Sequence, residues 1–91
     1  MRRSNPPDAD IIALKGLAFL AGSQADLEQF LAISGLRPDD IRARAGDPHF
    51  LAGVLDFFLS GEALLLAFCE AETLDPREVH RASAILSGGT R

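Results

Sequence analysis

The sequence predicts an all-α protein, a compact bundle of about six short helices, and three observations carry that prediction. Apolar residues recur at three- and four-residue spacings, the period of a helix face. The periodic stretches are punctuated by helix stops such as Gly22, Gly35 and Gly46 and by helix starts such as Asp47-Pro48 and Asp75-Pro76. Four of the six phenylalanines lie between residues 47 and 72, which marks a central helical hairpin.

Residues 1–7 carry two arginines and two prolines without periodicity and are expected to form a disordered arm that ends at an Asp8 N-cap. The first helix, about 9–21, has Ile11, Ile12, Leu14, Leu17, Ala18, Leu20 and Ala21 on a broad apolar face. Ser23 caps a second helix, about 24–34, with Leu27, Phe30, Leu31 and Ser34 on one stripe and Asp26, Glu28 and Gln29 turned away. A short third helix, about 38–45, starts at Pro38 with Leu36 and Ile41 spaced as a hydrophobic staple. Arg37 stands at its cap position and offers no acceptor, so this helix lacks a good side-chain cap.

Asp47 and Pro48 open the fourth helix, about 48–59, and Ser60 is placed to cap the fifth, about 61–72. In the fifth, Leu64, Leu65, Leu66, Phe68 and Cys69 occupy more than one face, as in a helix wrapped by others or covered by a partner. Asp75 caps a sixth helix, about 76–87, with Glu78 set for a capping box and Leu74 with Val79 for a staple. Residues 88–91 read as a frayed tail, which leaves one domain, 8–87. Its expected core is Leu17, Leu27, Phe30, Leu55, Phe57 or Phe58, Leu65 and Phe68.

The two halves align at a constant shift of 38 residues: Leu17 with Leu55, Phe19 with Phe57, Leu27 with Leu65, Phe30 with Phe68, Leu36 with Leu74 and Pro38 with Pro76. Duplication of a three-helix unit is one reading and chance matching of common residues the other. The halves differ where the second helix shows Asp26 and Glu28 and the fifth has Leu64 and Leu66. Leu66 is therefore either core or interface. In the second case it forms the apolar anchor of a partner-binding face rimmed by Glu62, Glu70 and Arg77.

A net charge of −4 argues against phosphate backbones and anionic membrane surfaces as first partners. No apolar run approaches the roughly 20 residues that cross a bilayer. The basic pair at Arg2-Arg3 does not begin a secretory signal, because Asn5-Pro6-Pro7 and Asp8 fall where its apolar stretch should start. The lone Cys69, inside an apolar run, suits a reducing compartment, and the expected location is the cytoplasm.

Catalytic chemistry finds little support. Cys69 has neither His49 nor His80 nearby in sequence, and burial among leucines makes a thiol inert. The same three residues lack metal-ligand spacing, and Asp39-Asp40 are explained by a helix N-terminus, so no enzyme activity, metal or cofactor is expected. The remaining cluster is basic: Arg37, Arg42 and Arg44 around the third helix, Arg77 and Arg81 on the sixth. It supports an alternative as a nucleic-acid accessory protein, against which stand the interspersed acids and the lack of Trp and Tyr for base stacking.

Phe30-Leu31-Ala32 with Gly35-Leu36, Asp47-Pro48 with Phe50-Leu51, Val54-Leu55-Asp56-Phe57 and Leu64-Leu65-Leu66-Ala67-Phe68 are the strings by which the chain, from Leu17 to Leu86, resembles domain of unknown function 3572. That is a family of small bacterial, mainly alphaproteobacterial, proteins. The resemblance implies a shared helical fold and no activity, and it makes a response regulator a partner to test. The expected function is a small protein–protein interaction or regulatory module, with signalling as its setting and self-association left open.

Overall fold

Asp47 and Pro48 start the helix around which the others assemble. In the computed structural model, which describes residues 9–88, the helices are α1 (Ala9–Ala21), α2 (Gln24–Ser34), α3 (Pro38–Arg44), α4 (Pro48–Leu59), α5 (Glu62–Glu72) and α6 (Pro76–Leu86). The predicted arm 1–7, the Asp8 cap and residues 89–91 of the tail lie outside the described residues.

Most helix ends follow from local chemistry. The Asp47 carboxylate accepts the His49 N–H at 2.9 Å, the Asp75 carboxylate accepts the Arg77 N–H at 2.8 Å, and the Ser23 hydroxyl accepts the Asp26 N–H at 3.5 Å. Gly35 takes the left-handed conformation, φ 76°, and donates its N–H to the Leu31 carbonyl at 2.9 Å. Three ends differ from expectation. Ser60 does not cap α5: its backbone stays helical and completes α4, and its hydroxyl donates back to the Phe57 carbonyl at 2.9 Å, which leaves Gly61 as an N-cap without a side chain. At α3 the poor cap is offset by Asp40, whose carboxylate accepts the Arg37 N–H at 3.0 Å. At α6 the expected box stays open, since Asp75 is engaged by the amide and guanidinium of Arg77 and no bond from its own N–H to Glu78 forms among the described residues.

The core is a triangle of α1, α4 and α6, each packed on the other two. α4 contributes Phe50, Leu51, Ala52, Val54, Leu55 and Phe58 to it. α6 contributes Val79, Ala82 and Ser83, one stripe at helical spacing. The small side chains of that stripe bring α6 close, and the Ser83 hydroxyl donates to Asp56 Oδ1 at 2.7 Å, tying α6 to α4. α1 comes close to α4 through Gly16, where a Cβ would lie 2.9 Å from the Phe58 ring. α2 packs on α1 and α4, while α5 lies against α4, α1 and α6.

Of the expected core, Phe30, Leu55, Phe58, Leu65 and Phe68 are buried, whereas Leu17, Leu27 and Phe57 are half-buried and pack on its outside. Complete burial of Phe58 and Phe68 contributes roughly 1.5–3 kcal/mol each by area removed from water. The six phenylalanines form one continuous array. Phe58 and Phe68 stack at 4.6 Å, Phe19 approaches both, Phe57 links Phe58 to Phe30 at 6.3 and 5.4 Å, and Phe30 meets Phe50 at 5.9 Å.

α5 is not the wrapped core of the bundle. The chain turns by 109° between α4 and α5, a corner rather than an antiparallel hairpin, and α6 takes the place beside α4. The 38-residue correspondence gains no confirmation from packing: α6 belongs to the central triangle, while its counterpart α3 buries no residue. No single described helix is long and apolar enough to cross a membrane.

Candidate functional site

The sequence points to three places. At the first, Glu62, Leu66 and Glu70 follow one another at four-residue spacing and share the outer face of α5. Leu66 is 49% exposed, which decides against a core role for it. Arg77, the fourth member, lies at the start of α6 and is bound to Asp75, Nη2 to Oδ2 at 3.2 Å. This pairing holds the Asp75 carboxyl below its ordinary value, chiefly through the side-chain hydrogen bond.

At the second, the basic residues are divided. Arg37, Arg42 and Arg44 belong to α3 and its cap, and Arg77 and Arg81 to α6, but the two helices do not pack together to any extent. Arg44 also lies 4.0 Å from the Asp47 carboxylate and Arg77 is held by Asp75, so two of the five guanidinium groups have carboxylates beside them.

At the third, Cys69 is buried, and burial pushes its thiol up, with the Asp75 and Glu78 carboxylates adding to the shift. All three causes favour the protonated thiol over the reactive thiolate. His49 and His80 are both exposed. Among the described residues no three His, Cys, Asp or Glu side chains gather as a metal-ligand set.

A concavity lies elsewhere, in an open groove of about 450 Å³ between α2 and α4. Phe30, Phe50 and Phe57 make its floor, the outer end of the aromatic array. Leu36 also lines it, as does Ile33, which is 68% exposed, more than any other large apolar side chain described. Arg44, Asp47, His49 and Asp56 supply polar edges. A second depression of about 280 Å³ shares Ile33, Phe57 and Ser60 with the first and extends it towards Asp26 and Leu64.

Gly53 sits at the middle of the α4 wall. A Cβ there would meet nothing within 4 Å, so internal packing does not require the glycine, in contrast to Gly16. A glycine inside a helix costs roughly 0.5–1 kcal/mol relative to alanine. Its effect here is to leave the α4 backbone uncovered by a side chain at the middle of this wall.

The groove is not visible in the sequence because its parts come from separate helices with local roles of their own: Ile33 lies off the apolar stripe of α2, and Phe57 has the spacing of a core residue. Gly53 is a partial signal, one of two helix-interior glycines with Gly16, and only the packing separates them. The profile of the family described as "Protein of unknown function (DUF3572)" matches residues 6–89. No curated protein and no solved structure matches the chain.

Proposed function

Because the chain belongs to that family, whose description assigns no activity, we propose its function from geometry: it is a small protein–protein interaction module that receives a partner in the α2–α4 groove. The observation that carries this reading is the aromatic-floored groove itself, open to solvent, with the exposed Ile33 in its lining. An apolar centre with polar edges is how a protein-binding surface is commonly built. A groove between two helices suits recognition of a third.

The role is regulatory rather than catalytic, in the cytoplasm, where a lone buried thiol stays reduced. A buried, protonated Cys69 and exposed, separate histidines offer no activated nucleophile beside a base. Nucleic acid ranks below protein as a partner, given the division of the arginines between α3 and α6.

The groove is favoured over the α5 face because Leu66 stands there between Glu62 and Glu70, whereas the groove sets an exposed Ile33 beside three phenylalanines. The test compares wild type, Ile33→Asp and Leu66→Glu as immobilised baits for one cell extract. A protein retained by Leu66→Glu and lost by Ile33→Asp supports the groove. The reverse pattern moves the docking face to α5, and retention by both variants removes both surfaces.

A further inference from the structure

We propose that the occupant of the α2–α4 groove is a cationic amphipathic helix of about three turns, an inference that rests on the docking role of this groove. Charge is the first argument. The groove and its extension carry the carboxylates of Asp26, Asp47 and Asp56 against the single guanidinium of Arg44. Arg44 lies beside Asp47, and neither Asp26 nor Asp56 enters an ion pair among the described residues. Asp56 accepts the Ser83 hydroxyl, but an ionised carboxylate has acceptor sites to spare. The chain's net charge of −4 attracts a cationic partner from a distance and disfavours a second copy of itself.

Shape is the second argument. The α4 wall runs from His49 to Ser60, which at 1.5 Å per residue is about 16 Å, or three helical turns. A helix laid on this phenylalanine floor satisfies its own backbone N–H and C=O groups, whereas an extended segment depends on water for those turned towards the rings. The uncovered backbone at Gly53 admits such a helix closely against α4. Its apolar residues, at three- and four-residue spacing, would reach the floor while lysines or arginines flank the aspartates.

The test is a displayed library of peptides about 14 residues long, just over the length of the groove. Each carries a fixed leucine and phenylalanine stripe at helical spacing, and its polar positions are drawn equally from Lys, Glu and Gln. It is selected on wild type and on Ile33→Asp. The expected result is a pool that needs Ile33 and is enriched in Lys over Glu. A synthetic peptide from that pool should bind the triple variant Asp26→Asn, Asp47→Asn, Asp56→Asn about ten-fold more weakly, at roughly a two-fold loss for each exposed charge pair. Asparagine keeps the α4 cap and the acceptor for Ser83, so the fold is spared. Groove-dependent binders rich in Glu or without bias would overturn the cationic helix and leave the docking role standing. Binders indifferent to Ile33→Asp, or none at all, would overturn both. Self-association of the wild type that Ile33→Asp abolishes would give the groove to a second copy and defeat the proposal.

Discussion

Replacing Gly16 and Gly53 by alanine, one at a time, should move stability in opposite directions. Both lie inside helices, where alanine is preferred over glycine by about 1 kcal/mol. At Gly53 the new methyl meets nothing within 4 Å, so most of that preference is realised and the fold should gain roughly 0.5–1 kcal/mol. At Gly16 the methyl lies 2.9 Å from Cε2 of Phe58 and 3.5 Å from Cγ1 of Val54. Phe58 cannot swing aside, because it is fully buried and stacked on Phe68. Overpacking of this kind costs about 1–3 kcal/mol, which outweighs the helix preference and leaves a net loss of about 1 kcal/mol. Urea unfolding followed by far-UV circular dichroism measures both changes, with a constant slope confirming that stability alone has moved. For a domain of this size 1 kcal/mol corresponds to about 4–8 °C in Tm, well within resolution. A stabilised Gly16→Ala would refute the close approach of α1 to α4. A destabilised Gly53→Ala would mean that the α4 wall of the groove is already covered.

Other outcomes follow from the same packing. Phe68→Ala should cost about 3–5 kcal/mol, since a fully buried ring leaves a core that cannot collapse around the gap; an unchanged urea midpoint would contradict the placement of α5. Cys69 should resist iodoacetamide in the folded protein and react on unfolding, because burial and two carboxylates all disfavour its thiolate; rapid native labelling at neutral pH would contradict that setting. Asp75, its carboxyl held low by Arg77, stabilises the fold at pH values above its ordinary range, and that contribution fades as pH falls from there through the lowered value. A proton NMR titration should accordingly find its midpoint below the ordinary carboxylate value, and Arg77→Gln should raise it.

What the sequence shows well is whatever a few neighbouring residues decide. Asp47-Pro48 and Asp75-Pro76 begin α4 and α6 because an aspartate cap and a proline at the first turn need no distant partner, and Gly35 ends α2 by its own left-handed φ. The choice of neighbour for α4 was not legible. α5, with three consecutive leucines and Phe68, looks like the better core helix, yet α6 takes the place with a narrow stripe whose Ala82 and Ser83 permit close approach. That choice depends on helix shape across the whole bundle rather than on apolar content. Leu66 is left on the surface as a result. The groove was hidden for a related reason, since Phe30, Phe50 and Phe57 become a floor only after α2 and α4 are set side by side.

The unbroken phenylalanine array also determines how the protein can be observed. With neither tryptophan nor tyrosine in the chain, phenylalanine is its only aromatic chromophore, and the rings run in contact from the groove floor at Phe50 to Phe68 in the interior. The near-ultraviolet dichroism therefore comes from one coupled set of rings that samples the surface and the centre together. Under tryptophan excitation the protein itself is dark. A peptide bearing a single tryptophan on its apolar face would be the sole emitter in the mixture, and a blue shift on titration would report entry of the indole among these rings without any label on the protein.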